Sequence, residues 1–304
     1  MDYFMLLRPT LFLPLWIFFL LGAHHAEGEI SLGAVGAFIL YTMLMGGVYI
    51  FNQIIDRESD KKNKKLFLLS DGLIPLKNAY IEMTTLFLIA VSASFILGIN
   101  IFIAFLVSLF LGITYSLPPI ETKGKPFLDI LWNSCGYGVL AFMVGWLAVV
   151  SEPSKSMFIT AIPYFFAVAA VFVNTTIPDI EGDRREGKVT TGVFLGKKNT
   201  LLLGVILDFV AIVVSYLMGE RGYICLIGAG LAFPIFLIAY IKQTKKTILF
   251  SFRAIPGILA IIVFFISPII IPLFAAVLGV QKVYYKRKFN IDYPSMFSGK
   301  ERDF

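Results

Sequence analysis

Apolar residues run through this chain in stretches of about twenty, broken by short polar segments, from the first residues to near residue 280. A helix needs roughly 20 apolar residues to cross about 30 Å of hydrocarbon. Nine stretches meet that requirement, at about 4–23, 30–51, 79–97, 99–117, 128–150, 157–177, 199–218, 222–241 and 255–280. No linker or low-complexity stretch divides them. The pattern predicts an all-α polytopic membrane protein, one domain over residues 1–304 with nine transmembrane helices in a single bundle. A coarse internal symmetry splits it into a first half of about 1–118 and a second of about 128–254. A ninth helix at about 255–280 and a polar tail over 281–304 follow.

Composition agrees. The chain is 58% hydrophobic and only 15% charged, against about 25% charged in soluble domains, and its mean hydropathy is +0.83. The first stretch has the outline of a secretory signal behind Arg8. Apolar residues continue upstream through Tyr3–Leu7, however, and no small-x-small cleavage site follows, so an uncleaved first helix is expected. Cys135 and Cys225 both fall inside helices and suggest neither a disulfide framework nor a zinc site. His24 and His25 are adjacent, so they face apart on a helix and are expected to be solvated.

The net charge of +6 is no nucleic-acid footprint, because the basic residues gather in segments beside the spans. With a cytoplasmic amino terminus, the inside segments hold 18 of the 26 basic residues and the outside loops hold two. That distribution places both acidic segments described next on the cytoplasmic side. The tail, with Lys282, Lys286, Arg287 and Lys288, objects, since nine crossings put it outside. Segment 255–280 carries Pro256, Pro268 and Pro272, which predict a kinked or re-entrant path.

Two acidic clusters follow the second and sixth spans: Asn52-Gln-Ile-Ile-Asp56-Arg-Glu-Ser-Asp60 and Asp179-Ile-Glu-Gly-Asp183. Positions 52, 56 and 60 drift by only about 40° per step and line one helix face, but they spread over roughly 12 Å of axis. One ion cannot reach all three. Asn52 and Asp56 are therefore expected near a metal, with Asp60 assisting at the rim. Asp179 and Asp183 share a face by the same rule, and Glu181 turns away to solvent. Pro178 must either open a new helix or kink the sixth span. Oxygen ligands without histidine or cysteine suit a hard cation such as Mg2+, held by carboxylates and substrate phosphates. Arg57, Arg184, Arg185 and Lys188 stand ready for phosphate oxygens. A single cluster reads equally well as a topogenic loop; two at equivalent helix ends favour a joint site.

The paired motifs resemble those of the UbiA superfamily of intramembrane prenyltransferases, which carries N-D-x-x-D-x-x-x-D after its second helix and D-x-x-x-D after its sixth. The segment from Pro178 through Lys188 is similar to the second signature, and the loop from Tyr115 to Lys123 more loosely to a conserved interhelical loop. The nine-span plan matches as well. Two departures stand out. Gln53 replaces an acidic residue, and Phe67 stands where a phosphate-binding arginine is expected, which shifts that duty to Lys64, Lys65 or other cations.

The resemblance implies an enzyme that moves a prenyl group from an isoprenyl diphosphate to a lipophilic acceptor, aromatic or hydroxyl-bearing, releasing pyrophosphate. It implies Mg2+ held by Asn52, Asp56, Asp60, Asp179 and Asp183, with Asp56, Asp179, Asp183 and Tyr115 as the catalytic set. It assigns the diphosphate to Arg8, Arg57, Lys123, Arg184 and Lys188. Tyr115 would steady an allylic cation or orient the acceptor, and an interfacial aromatic belt explains it equally well. Arg8, Lys123 and Lys125 have the same second explanation as positive-inside residues. Two rivals remain. A secondary transporter keeps its coupling carboxylates near the midplane, whereas spans two and six here are nearly free of charge. A non-catalytic isoprenoid-diphosphate binder is kept open by Gln53.

Overall fold

A computed structural model describes residues 1–63 and 67–294. Lys64 and Lys65, named above as substitute cations, lie outside the described residues. Every regular element described is helical. In chain order these are α1 (Asp2–Leu6), α2 (Phe12–His25), α3 (Leu32–Asn63), α4 (Phe67–Ser70), α5 (Leu76–Leu97) and α6 (Ile99–Ser116). Then come α7 (Leu128–Asn133), a π-helical stretch (Ser134–Ala141) and α8 (Phe142–Val149), which together make one span. The second half holds α9 (Lys155–Thr175), α10 (Ile180–Arg185), α11 (Thr191–Leu217), α12 (Tyr223–Lys242), α13 (Lys245–Ile266) and α14 (Ile270–Phe289). Among the described residues eight helices are long and apolar enough to cross a membrane, and Pro9–His25 is a shorter apolar helix beside them.

The two ends of the chain depart from the expected bounds. The first stretch is not one helix over 4–23. Arg8 takes a left-handed conformation at φ 53, and a 3₁₀ turn over Pro9–Leu11 separates α1 from α2. The expected last span at 255–280 is divided instead between α13 and α14 at Ser267-Pro268. Pro268 can neither donate a helical hydrogen bond nor leave its predecessor in the α region. The basic loop expected over 242–254 shrinks to Gln243 and Thr244, with Gln243 left-handed at φ 49 and Thr244 capping α13 by accepting from the Thr247 amide.

Helix α14 then runs back. Phe274, near its start, packs on Trp16 at 5.9 Å and on Phe264 at 5.1 Å between ring centroids. At its far end Tyr284 and Tyr285 are buried with Met5, Leu6, Ile50 and Ile54. The cations Lys286, Arg287 and Lys288 therefore finish at the end of the bundle that holds residues 50–60. The tail's conflict with the other basic segments disappears.

The core is aromatic and tightly crossed. Tyr41, Phe105, Phe142, Tyr164 and Phe236 are fully buried between spans. Helices α2 and α8 meet through reciprocal glycines, as small residues allow backbones to approach in a bundle. A Cβ at Gly22 would stand 1.8 Å from the Phe142 carbonyl oxygen, and one at Gly145 the same distance from that of Phe19. Gly22→Ala or Gly145→Ala must push the two helices apart. We expect each to cost roughly 1–3 kcal/mol, read as a lowered Tm in detergent, with Gly136→Ala as the unaffected control because nothing lies near its Cβ. His25 is not simply solvated: its ring is half-buried against Phe142, with Nε2 at 3.0 Å from the Tyr164 hydroxyl.

Candidate active site

Because α3 continues unbroken past residue 60, its three motif positions climb one wall at successive depths. Asn52 faces an apolar chamber, Asp56 a charged cavity beside it, and Asp60 an outer basin. The spread expected from helical rise is what the structure has. On the other side α9 ends at Thr175, and Pro178 opens a new short helix, α10, rather than kinking the old one. That turn presents Asp179 and Asp183 to the same charged cavity, of about 200 Å3, that Asp56 lines. Residues 56 and 179 meet across one hollow.

Cations complete it. Lys123, carried on a 3₁₀ turn (Thr122–Gly124) in the loop after α6, pairs with Asp56. Lys188 bonds Glu186 at 2.7 Å, and Glu186 also accepts from Ser59 on α3 at 2.7 Å, so the two acidic segments are tied directly. Burial opposes the charge on Lys188, but Glu186, then Asp56 and Asp183, outweigh it and hold the ammonium above its ordinary value. Asp183 accepts from the Thr190 hydroxyl at 2.9 Å.

A residue that sequence reasoning missed sits beneath this wall. Asp129, buried at the start of α7, accepts from the Thr191 amide at 2.8 Å and the Thr191 hydroxyl at 2.5 Å. It also accepts from the Ile130 amide at 2.8 Å. Thr191 opens α11, and its neighbour Thr190 holds Asp183. The chain can turn so sharply here because Gly196, at φ 72, separates the first turn of α11 from the rest. Asn133, one turn beyond Asp129, donates to the Asp129 carbonyl at 2.7 Å and to the Tyr115 hydroxyl at 3.1 Å. Tyr115 thereby stands at the cavity wall with its oxygen held.

The apolar chamber, of about 350 Å3, adjoins the charged cavity and shares Asp56, Tyr115, Lys123, Asn133 and Phe172 with it. Met45, Val48, Leu111 and Trp132 line it. At its deep end Tyr41 and Ser108 are hydrogen-bonded at 3.1 Å. Asn52 donates to Ser116 at 2.6 Å. The site residues expected from the sequence thus divide. Asp56, Asp179, Asp183, Tyr115, Lys123 and Lys188 share the charged cavity. Asn52 and Arg8 line the chamber only, and Asp60 the outer basin. Arg57 and Arg184 line none of the three, while Arg185 reaches the basin. The diphosphate role expected of Arg57 and Arg184 therefore gains no support from the lining of these three cavities.

Among the described residues no three carboxylate, histidine or cysteine side chains are drawn close enough to enclose an ion unaided. The donor set is nonetheless all oxygen, on facing walls of one small cavity with lysines between. That suits a hard divalent cation bridged by phosphate oxygens and water.

The pattern that describes the UbiA prenyltransferase family matches residues 11–248. A lycopene elongase/hydratase from Haloarcula japonica is 27% identical over 240 residues, covering 75% of this chain and 79% of that protein. A digeranylgeranylglyceryl phosphate synthase from Methanosphaera stadtmanae is 29% identical over 220 residues, covering 71% and 77%. In fold, a UbiA homolog from Archaeoglobus fulgidus bound to GPP and Mg2+ superimposes with a TM-score of 0.69 at 22% identity, over 87% of this chain and 98% of that one.

Proposed function

The chain belongs to the UbiA prenyltransferase family, a multi-pass membrane enzyme that moves prenyl groups from isoprenyl diphosphates, and from that premise we propose how its residues divide the work. The reading rests on one observation: the charged cavity of Asp56, Asp179 and Asp183 opens directly into an apolar chamber along a shared wall. A diphosphate belongs in the first and its hydrocarbon tail in the second.

Asp56, Asp179 and Asp183 would hold Mg2+, as the Archaeoglobus homolog binds it with GPP, with Asp60 at the rim. The cation, when bound, supplies charge neutralisation to the departing pyrophosphate. Lys123 and Lys188 direct their ammonium groups at the phosphate oxygens as negative charge builds there. Phe172 and Tyr115 flank the junction where the allylic carbon lies, and the Asn133 amide fixes the Tyr115 oxygen. The aromatic walls keep water from the allylic cation. A lipophilic acceptor, through an electron-rich ring carbon or a hydroxyl, then attacks from the chamber side and loses its proton. The concentration of basic residues at this end supports a site on the cytoplasmic face.

The test is direct. Purified protein in liposomes, Mg2+ and labelled isoprenyl diphosphates of graded length are incubated with lipid extract, and products are identified by mass spectrometry. A prenylated lipid with stoichiometric pyrophosphate is expected. Failure of every donor to give either product, with the folded protein present, overturns the reading.

A further inference from the structure

Gln53 sits inside the first acidic motif yet turns away from it. It is 2% exposed, and its Nε2 donates to the Leu6 carbonyl at 2.7 Å and to the Tyr49 carbonyl at 2.9 Å. Both amide hydrogens are thereby used. The Leu6 carbonyl closes α1, where helix ends leave acceptors without partners. Two residues later Arg8 adopts its left-handed conformation, and the 3₁₀ turn over Pro9–Leu11 follows. Arg8 and Leu11 form part of the chamber wall. Tyr49, one turn before Gln53, has its hydroxyl 2.6 Å from the Tyr137 hydroxyl, and both residues line the chamber.

The outer face of the same arm is braced by the returning C-terminal helix. Asp2 accepts from Tyr284 at 2.8 Å and from Lys288 at 2.5 Å. The Thr10 and Tyr293 hydroxyls lie 3.0 Å apart. Met5 and Leu6 are buried between the two sides, against Ile50 and Ile54 on one and Tyr284 and Tyr285 on the other. A left-handed non-glycine residue persists only where its surroundings over-determine it. Here Gln53 and α14 supply that constraint from opposite directions.

We propose that Gln53 is a positioning residue: by gripping the Leu6 carbonyl it sets the N-terminal arm, and hence the chamber wall at Arg8 and Leu11 that receives the donor's prenyl chain, while α14 braces the arm from outside. It is a clamp, not a weakened metal ligand. A glutamate at this place has no hydrogen to donate and would face two carbonyl oxygens. Leucine would remove the grip and leave the Leu6 carbonyl without it. The role assigned to the chamber rests on the prenyl-transfer reading; the grip on the arm does not.

The experiment uses the full-length protein in nanodiscs, as wild type, Gln53→Leu, Gln53→Glu and Tyr293→Phe. Three quantities are read: KM and kcat for geranylgeranyl diphosphate at saturating Mg2+, the Mg2+ midpoint for binding inorganic pyrophosphate, and amide hydrogen exchange over residues 2–11. Both Gln53 variants are expected to raise KM at least fivefold, with kcat changed less than threefold. Exchange in the arm should quicken at least tenfold, and the Mg2+ midpoint should move less than twofold. Tyr293→Phe should shift KM the same way by about twofold. A Gln53→Glu protein that binds Mg2+ more tightly would make position 53 a ligand position and overturn the proposal. So would unchanged exchange over residues 2–11, or lost kcat at constant KM. Quickened exchange in a protein whose wild type transfers no prenyl group would instead sink the proposed function.

Discussion

Asp179→Asn is expected to lower kcat/KM by at least about a hundredfold, with Tm within a few degrees of wild type. Removing one preorganised stabiliser of developing charge commonly costs about 10²–10³ in rate, and a carboxamide oxygen is a poorer partner for a hard cation than a carboxylate. Asp179 begins α10 and has no side-chain capping bond there, so its loss should not unravel the helix. Asp56→Asn should be as severe, since Asp56 lines the chamber, the charged cavity and the outer basin at once. Asp60→Asn is the graded comparison. It lines the basin and not the charged cavity, so its loss should cost less, and a loss equal to that of Asp179 would make the rim part of the metal site proper. Steady-state rates over a Mg2+ series, with circular-dichroism melts on the same samples, decide it.

Asp129→Ala should strike stability and activity together. Three donors converge on this carboxylate, two of them from Thr191, and deletion strands them in a buried place. Leaving buried partners unsatisfied costs on the order of 3–5 kcal/mol when the lost group was charged. The damage is directional, because Thr190 is the next residue and holds Asp183. We expect a large fall in Tm, at least tenfold weaker Mg2+-dependent pyrophosphate binding, and little relief in Asp129→Asn. An amide offers a single acceptor oxygen where Thr191 uses two. Tm loss with undiminished pyrophosphate binding would confine Asp129 to the scaffold.

The spans and the convergence of two acidic segments were legible because each rests on a local rule. Twenty apolar residues make a crossing, and positions four apart share a face. Rotation about a helix axis was harder. Arg57 and Arg184 each directly follow a motif aspartate and line none of the three cavities, while Arg185, one residue further on, reaches the basin. Asp129 carried a readable signal, a carboxylate within a hydrophobic span. Its partner Thr191 lies 62 positions away, and nothing local links them. The last helix was misjudged for a third reason. Gln281, Lys282 and the cations after Tyr285 dilute its hydropathy, so α14 was read as a span's end followed by a polar tail. Its apolar positions serve protein contacts at Phe274, Val277, Tyr284 and Tyr285 instead.

The shared wall of chamber and cavity bears on the fate of what the enzyme makes. Under the proposed division of the site, the leaving pyrophosphate would be released among the cations and carboxylates that line the basin, and the alkylated partner would remain among Met45, Val48 and Leu111 of the chamber. The two products would then depart by different routes, one into water and the other into lipid. Pyrophosphate that accumulates in the surrounding water should therefore slow turnover by competing with the donor's head for the charged cavity, while the lipid-held product does not compete there.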